Sequence, residues 1–337
     1  MTAEQSPPPV ALTMGEPAGI GGDIALKAWR RRAEGLPPFF LIDDPARLMA
    51  LAARLGFDAP IAVIEHPAQA ASHFATALPV LALPLAAAIE PGRPDAANVP
   101  VVATAIARAV ALAASGEAAA VVTNPIHKGV MREGGFRFPG HTEFLAELTG
   151  HAGREVMMLA APGLRVVPVT IHVALTEAIR GLSREMIVAA GRATAQALER
   201  DFAIPRPRLA VAGLNPHAGE GGAMGGEEIA FIAPAVAELR AAGIDAFGPL
   251  PPDTMFHPEA RSRYDAALCM YHDQALIPLK TIDFHGGVNI TLGLPIVRTS
   301  PDHGTAFELA GTGTANESSL MAALAMAAAI AANRRRG

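Results

Sequence analysis

The sequence has little of what a disulfide-bonded, secreted or nucleic-acid-binding protein needs. A single cysteine, Cys269, stands among 337 residues, so no intramolecular disulfide can form. Acidic residues outnumber basic ones and the formal net charge is -5, which is not the basic excess of a nucleic-acid-binding protein. The opening MTAEQSPPPV lacks the basic and apolar regions of a secretory signal. We therefore expect a cytoplasmic protein that does not bind nucleic acid.

Long uninterrupted apolar runs and fixed-period repeats are also absent. Arg108 and Glu117 interrupt the stretch VVATAIARAVALAASGEAAAVV, and LMAALAMAAAIAAN is shorter than the roughly 20 residues that cross a bilayer. We expect both stretches to be packed helices, and no membrane association. The chain is longer than a usual single domain, so two domains are expected.

Short apolar runs alternate with helical patterns along the chain. VALTM, FFLI and AAAVVT alternate with helical stretches such as ARLMALAARLG, and LRVVPVTIHV, PRLAVAGLN and DAALCMYH continue the pattern in the second half. This alternation predicts the α/β class, with largely parallel sheets and helices on both faces. In such sheets, binding residues gather in the loops beyond the carboxyl ends of the strands.

Three histidines follow three of these predicted strands. His172 comes after VVPVTI, His217 after LAVAGLNP, and His272 after AALCMY. Each alone is compatible with a hydrogen-bonded structural histidine, but three together suit a divalent metal that keeps a position open for substrate. Asp273 either orients His272 or caps a turn, and Cys269 is expected to be a buried thiol within the apolar run.

Three glycine-rich stretches predict loops that approach a ligand closely. MGEPAGIGGDIALKAW predicts a strand, a loop and a helix start, where glycines present N–H groups to an anion or simply permit a turn. It is not the dinucleotide fingerprint, because Ile24 stands at the third glycine position. GLNPHAGEGGAMGGEE either wraps a bound group or forms a flexible surface loop. SPDHGTAFELAGTGTANESSL has donors that could hold a nucleotide without that fingerprint.

Further polar residues are candidates for an anion pocket. Thr142 in GFRFPGHTEFLAELTG is expected to cap a helix, which leaves His141 unexplained. Lys280, Asn289 and Arg298 are spaced along strands and turns. Singly they are ordinary surface groups, but beside a metal they would form a pocket for a phosphorylated, carboxylated small molecule.

Seven segments together resemble the 4-hydroxythreonine-4-phosphate dehydrogenase family, in order from about Leu12 to Leu320: MGEPAGIG, VTNPIHKG, FPGHTEFLAE, GLNPHAGEGG, GPLPPDTMF, YHDQALIPLK and LPIVRTSPDHGTAFELAGTGTANE. The resemblance implies oxidation of 4-phosphohydroxy-L-threonine with NAD or NADP. The product then loses CO2 to give 3-amino-2-oxopropyl phosphate, in pyridoxal phosphate biosynthesis. It also implies a homodimer with the active site at the subunit interface.

The resemblance assigns roles to individual residues. It implies metal ligation by His172, His217 and His272 across the dimer interface, with zinc favoured and magnesium or cobalt as alternatives. Lys280 is expected to handle a proton or to pair with a substrate anion, and Asp253 is a second catalytic candidate. The substrate-binding residues it implies are His141, Thr142, Lys280, Asn289 and Arg298.

A second, more distant likeness concerns the cofactor. GEPAGIGGD and DHGTAFELAGTGTAN are similar to loops of isopropylmalate and isocitrate dehydrogenases, which bind NAD(P) without a Rossmann fold. It implies two α/β/α domains with a cleft between them, one of residues 1–135 plus 295–337 on the cofactor side, the other of residues 136–294 carrying the metal, substrate and dimer contacts. The implied cofactor-binding residues are Gly304, Thr305, Ala306, Gly311 and Asn316.

Three alternatives stay open at this point. A metal-dependent hydrolase could use the histidines, although HxH and HExxH pairs are absent and hydrolysis leaves the nucleotide-like loop unexplained. A non-catalytic sensor could bind a phosphorylated ligand, but sensing does not require a metal. A related dehydrogenase could act on 4-phosphoerythronate or 4-phosphothreonate in sugar-acid catabolism.

Overall fold

The computed structural model describes residues 7–336. Residues 1–6, which belong to the opening segment without a signal pattern, lie outside the described residues. The chain divides into two compact units. The first contains the described residues up to Glu155 together with Leu294–Arg335, and the second contains Val156–Gly293.

Strands and helices alternate through both units, which confirms the α/β class. The strands are β1 Val10–Thr13, β2 Phe39–Asp43, β3 Ile61–Ile64, β4 Leu78–Ala82, β5 Val121–Thr123, β6 Val156–Ala161, β7 Leu164–Pro168, β8 Arg208–Ala212, β9 Asp245–Leu250, β10 Ala266–Cys269, β11 Val288–Leu292 and β12 Arg298–Pro301.

The α-helices follow the predicted periodic segments. They are α1 Gly21–Arg30, α2 Pro45–Leu55, α3 Ala70–His73, α4 Val99–Ala114, α5 Lys128–Glu133, α6 His141–Leu148, α7 Leu175–Gly181, α8 Arg184–Arg200, α9 Ala233–Ala241, α10 Pro258–Arg261, α11 His272–Ile282 and α12 Ser318–Arg336.

The first unit is built on a parallel sheet with strand order β3-β4-β2-β1-β5-β12. This order differs from the 3-2-1-4-5-6 order of a Rossmann domain, as the sequence predicted. Its inner strands β1 and β2 are fully buried, which explains why they are continuous apolar runs without alternation. Local signals set the helix ends: Asp44 caps α2 with its side chain, and Gly56 ends α2 in a left-handed conformation with φ of 63°.

Residues 96–114 form the one helical stretch among the described residues that is long and apolar enough to span a bilayer. Its residues Val102, Ile106 and Val110 are buried in the core of the first unit. It therefore serves as a core helix of that unit, as the interruption by Arg108 predicted.

The domain boundary differs from the predicted one after residue 135. The sequence predicts residues 136–155 in the second domain, whereas the structure places them in the first unit. The reason is packing, because Leu145 and Ala146 of α6 are buried in the same core as Val99 and Val102 of α4. An amphipathic helix joins the unit whose core covers its apolar face, and sequence periodicity does not identify that unit.

The second unit is built on a mixed sheet with strand order β11-β6-β7-β10-β8-β9. The pairs of β11 with β6 and of β6 with β7 are antiparallel, whereas β7, β10, β8 and β9 run parallel. Its core contains Leu159, Val166, Ala267 and Cys269. Burial raises the pKa of the Cys269 thiol, in keeping with the predicted structural cysteine.

Candidate active site

The three predicted histidines lie beyond the carboxyl ends of three adjacent parallel strands. His172 follows β7, His272 begins α11 directly after β10, and His217 follows β8. Since β10 pairs in parallel with both β7 and β8, these three strand ends share one edge of the sheet. The sequence prediction of their placement is confirmed.

His172 and His272 lie close together, with ring centroids 5.8 Å apart. Both line a pocket of about 260 Å³, which also includes Thr170, Tyr271 and Asp273. The His272 Nδ1 atom lies 2.7 Å from Asp273 Oδ1, and this carboxylate oxygen can only accept, so Nδ1–H is the donor of the pair. Asp273 therefore orients His272, which was one of its two predicted roles.

His217 lies in an unusual left-handed turn. Residues 217–221 all have positive φ, with 52° at His217, 51° at Ala218 and 42° at Glu220. Left-handed backbone is unfavourable for residues with a Cβ and persists where surrounding contacts impose it.

Glu228 supplies such contacts from beneath the His217 loop. Its Oε1 atom accepts the N–H groups of Leu214 and Asn215, both at 2.8 Å, and its Oε2 atom accepts the Asn215 side-chain amide at 2.9 Å. Burial alone would raise the pKa of Glu228, but these hydrogen bonds outweigh it and lower the pKa. The buried carboxylate anchors the start of the loop in its charged form.

The histidines do not form a complete metal site within one chain. Among residues 7–336, no group of three or more histidine, cysteine, aspartate or glutamate side chains is arranged to hold an ion. His172 and His272 lie together at their common sheet edge. His217 follows a strand at the same edge but is held in a separate left-handed turn, and it does not join the pair.

The other polar candidates of the second unit are dispersed around this edge. Lys280 lies on α11 two turns after His272, about 12 Å along the helix axis, and its Nζ atom is 5.4 Å from the centre of the Phe284 ring. Asn289 lies on β11, and its Oδ1 atom is buried without a hydrogen-bond partner among the described residues. Asp253 is exposed in a turn that packs against the His217 loop.

In the first unit, Arg298 and Lys128 place positive charge beside His141. Arg298 begins β12, is 4% exposed, and donates from Nη2 to Thr123 Oγ1 at 2.7 Å. Burial lowers the pKa of Arg298 to about 10, although Glu143 opposes the shift. The pKa of His141 falls well below its usual value because of burial and because of the positive charges of Arg298 and Lys128. His141 is therefore neutral at physiological pH, beside two cations.

The predicted capping role of Thr142 is wrong. The helix begins at His141, so Thr142 is its second residue, and the N-cap is Gly140 in an extended conformation without a side-chain cap. Thr142 stands in the first turn, where the helix N–H groups have no acceptor on the helix itself. This turn adds hydrogen-bond donors to the positive charge of Arg298 and Lys128.

The two glycine-rich loops of the first unit pack against each other. Ile20 donates its N–H to the Thr305 carbonyl at 3.0 Å, and a Cβ at Gly19 would lie 2.9 Å from that oxygen. Gly311 donates its N–H to Asp23 Oδ1 at 2.9 Å. Small residues are therefore required where the loops meet.

The remaining predicted cofactor residues shape the later loop. Gly304 is exposed, and Ala306 adopts a left-handed φ of 40°. Asn316 accepts the Ser318 N–H at 2.8 Å and so stabilises the start of α12. The segment is a turn-rich loop that ends in a helix, as predicted.

Sequence reasoning missed three residues that the structure places at these sites. Lys128 stands in the segment VTNPIHKG, but nothing in the spacing indicates that it lies near His141. Glu228 and Asp23 stand in glycine-rich segments. An acidic residue expected to be buried among glycines is a signal by which the sequence could have identified them as site residues.

Comparison with known proteins agrees with this arrangement. The family model described as pyridoxal phosphate biosynthetic protein PdxA matches residues 37–327. The 4-hydroxythreonine-4-phosphate dehydrogenase of Caulobacter vibrioides is 55% identical over 331 residues, covering 97% of this chain and 98% of that protein. The enzyme of the same name from Bradyrhizobium diazoefficiens is 54% identical over 342 residues, covering 98% and 99%.

A solved structure gives the same result. The crystal structure of 4-hydroxythreonine-4-phosphate dehydrogenase from Klebsiella pneumoniae matches with a TM-score of 0.87 and 39% identity, covering 96% of this chain and 99% of that one. Sequence identity and fold agree over nearly the whole length. The chain belongs to the PdxA family of pyridoxal phosphate biosynthetic proteins.

Proposed function

We propose that this protein oxidises 4-phosphohydroxy-L-threonine with NAD or NADP, and that the product decarboxylates to 3-amino-2-oxopropyl phosphate in pyridoxal phosphate biosynthesis. Membership of the PdxA family supports the reaction class. The observation that carries the chemistry is the His172–His272 pair, whose imidazoles lie 5.8 Å apart at the sheet edge with His272 oriented by Asp273.

The residues of the second unit fit a divalent metal. The Nε2 atom of His272 would bind an ion while Nδ1 donates to Asp273, and His172 stands beside it. Imidazole ligands favour zinc, with cobalt or magnesium as alternatives. A bound ion would supply the positive charge that makes the substrate hydroxyl more acidic, and a bound dinucleotide would accept the hydride from the carbon that bears this hydroxyl.

The cationic region of the first unit suits the phosphate of the substrate. The guanidinium of Arg298 and the ammonium of Lys128 supply positive charge, and the first turn of α6 supplies N–H donors at Thr142. A phosphate group gains charge-assisted hydrogen bonds from each. Because His141 is neutral, it can donate a ring N–H to the phosphate without first taking up a proton.

Proton handling is assigned to Lys280, with Asp253 as the second candidate. An ammonium on α11 can return a proton to a carbon that has lost CO2 and can hold developing negative charge. The buried Oδ1 atom of Asn289 is an acceptor that would receive an N–H of the substrate amine. Lys280 and Asn289 would then both contact the substrate.

A homodimer would complete the metal site with a histidine from a second copy. The second unit exposes apolar side chains on the segments that follow His172 and His272, and on the helix and loop near His217. A second copy that covers these side chains would remove them from water, which is the usual reason for such a patch. The exposed apolar residues are Val173, Leu175, Ile179, Met186, Met224, Ile229, Ile277, Ile282 and Phe284.

We place the protein in the cytoplasm. Its single cysteine is a buried free thiol, which is compatible with that compartment.

The direct test follows NADH formation by the purified protein with 4-phosphohydroxy-L-threonine and with 4-phospho-D-erythronate. Each assay is run with a chelator and then with added zinc or magnesium. We expect chelator-sensitive turnover that prefers the amino substrate. Preference for the hydroxy acid would move the enzyme to sugar-acid catabolism, and absence of NADH formation with both would contradict the dehydrogenase.

Histidine variants link that activity to the site. His172→Ala is expected to abolish turnover and to lower the retained metal, measured by elemental analysis. His257→Ala is the matched control, because His257 is an exposed histidine of the same unit that pairs with Glu259. Equal metal content in the two variants would remove His172 from the ligand set.

A further inference from the structure

The pairing of β10 with its two neighbouring strands ends immediately before the segment that carries His272. Its pairs with β7 extend to Cys269, and its pairs with β8 extend to Leu268. The next residue, Met270, is 1% exposed, so its backbone N–H and C=O groups are out of reach of water. Buried backbone groups need hydrogen-bond partners, and beyond the strand these have to come from elsewhere.

Two side chains provide these partners at Met270. Thr170 donates from Oγ1 to the Met270 carbonyl at 2.8 Å, and Gln274 Oε1 accepts the Met270 N–H at 2.6 Å. The Nε2 atom of Gln274 then donates to the Gly213 carbonyl at 2.8 Å. We call this buried chain of three hydrogen bonds, from Thr170 through Met270 and Gln274 to Gly213, the Met270 network.

The Met270 network connects all three segments that carry a predicted metal-ligating histidine. Each of three network residues comes two to four positions before a histidine: Thr170 before His172, Met270 before His272, and Gly213 before His217. Gly213 is also packed against the His217 turn, because a Cβ at Gly213 would lie 2.9 Å from the Ala218 Cα atom. A displacement of Gly213 would therefore reach that turn.

The chemistry of the network calls for a glutamine at position 274. The Met270 N–H can only donate and the Gly213 carbonyl can only accept, and an amide side chain offers an acceptor and a donor together. A glutamate would place an oxygen against the Gly213 carbonyl oxygen. A leucine would leave both buried backbone groups without this partner, which is unfavourable.

We propose that Thr170 and Gln274 are positioning residues for the divalent metal, which hold the segments of the three histidines at the spacing that the ion requires. This inference rests on the proposed metal-dependent oxidation. The network lies within one chain, so it sets the spacing of these segments whether an ion takes its ligands from one protomer or from two. It extends the coupling of the strands beyond their ends, to the residues that precede the ligands.

Zinc binding by the metal-stripped, full-length protein tests the proposal, in a competition titration with a chromophoric chelator. Thr170→Val keeps the branched shape of the side chain and removes its hydroxyl, and Gln274→Leu removes the amide. We expect each variant to bind zinc about 10- to 100-fold more weakly than the wild type. Thr170→Ser keeps the hydroxyl and is expected to bind zinc more tightly than Thr170→Val does.

The visible absorption spectrum of bound Co²⁺ provides a second measurement, because it depends on the geometry of the ligands around the ion. We expect Thr170→Val and Gln274→Leu to change this spectrum. A merely destabilised protein that still binds the ion would keep the spectrum of the wild type.

Two substitutions on α8 of the same unit serve as matched controls. Thr194 is 0% exposed and donates from Oγ1 to the Ala190 carbonyl at 2.7 Å, so Thr194→Val also removes a buried hydroxyl. Gln196→Leu repeats the other change at an exposed glutamine. Both are expected to bind zinc as the wild type does. Melting temperatures of all variants separate a loss of stability from a loss of zinc affinity.

The outcomes separate this proposal from the proposed function. Wild-type zinc affinity and an unchanged Co²⁺ spectrum in Thr170→Val and Gln274→Leu would overturn the positioning role and leave the metal site intact. Equal weakening in Thr170→Ser and Thr170→Val would show that the hydroxyl is not responsible. Absence of zinc and cobalt binding by the wild-type protein would overturn the metal-dependent oxidation as well. If Gln274→Leu does not fold, the two Thr170 variants decide between these outcomes.

Discussion

Glu228 offers a quantitative test of how the His217 loop is held. Its carboxylate is 4% exposed and accepts two backbone N–H groups and one side-chain amide at 2.8 to 2.9 Å. Glu228→Ala leaves the two backbone N–H groups without their acceptor, whereas the Asn215 amide keeps its hydrogen bond to Glu227 Oε2 at 2.8 Å. Hydrogen bonds to charged groups contribute about 1.5–3 kcal/mol each, and water entering the space offsets part of the loss, so we expect a net destabilisation of about 3 kcal/mol.

The assay is urea unfolding of the variant and the wild type, with Glu199→Ala as the control. Glu199 is an exposed glutamate of the same unit, and its removal is expected to change the free energy of unfolding by less than about 0.5 kcal/mol. The loop carries His217, so the Glu228 variant is also expected to bind zinc more weakly. Equal stability of the two variants would refute the anchoring role.

The pH dependence of the stability difference between the wild type and Glu228→Ala tests whether the charge of Glu228 causes that difference. The pKa of Glu228 is lowered from its ordinary value of 4.5 in the folded protein. A lowered carboxyl pKa stabilises the fold above the unfolded pKa, and this contribution is lost as the pH falls through the folded pKa. The gap between wild type and Glu228→Ala should therefore narrow on acidification below about pH 4.5. A gap that stays constant would show that the charge is not involved.

Three further predictions concern individual groups. Asp273→Asn should weaken zinc binding by about tenfold or more while leaving the melting temperature unchanged, because the amide no longer fixes the His272 tautomer; unaltered affinity in a competition titration would contradict that role. Arg298→Ala should raise the KM for the phosphorylated substrate about tenfold to hundredfold with little change in NAD binding, and equal losses in both would count against phosphate binding. His141 should remain neutral at pH 6.5, because burial, Arg298 and Lys128 all lower its pKa; an imidazolium signal in the NMR spectrum at that pH would disprove this.

Much of the fold could be predicted because it depends on local patterns. Buried strands such as β1 and β2 are short apolar runs, and the alternation of such runs with helical periods indicates parallel sheets. The positions of His172 and His272 follow from the same logic, since a residue directly after a parallel strand must lie at its carboxyl end.

The features that could not be predicted depend on distant contacts. The placement of α6 in the first unit depends on the core around Val99, and the contact between Asp23 and Gly311 joins segments far apart in the sequence. The left-handed backbone of His217 and Ala218 is imposed by the surrounding loop, since neither residue favours it. Local propensity carries no information on such contacts.

The proposed reaction couples oxidation of a phosphorylated amino alcohol to loss of CO2. The most direct measurement compares NADH formed with CO2 released from 4-phosphohydroxy-L-threonine labelled at its carboxyl carbon. We expect equal amounts of NADH and labelled CO2, and loss of both after addition of a chelator. Release of inorganic phosphate without NADH or labelled CO2 would contradict it and would favour a metal-dependent hydrolase.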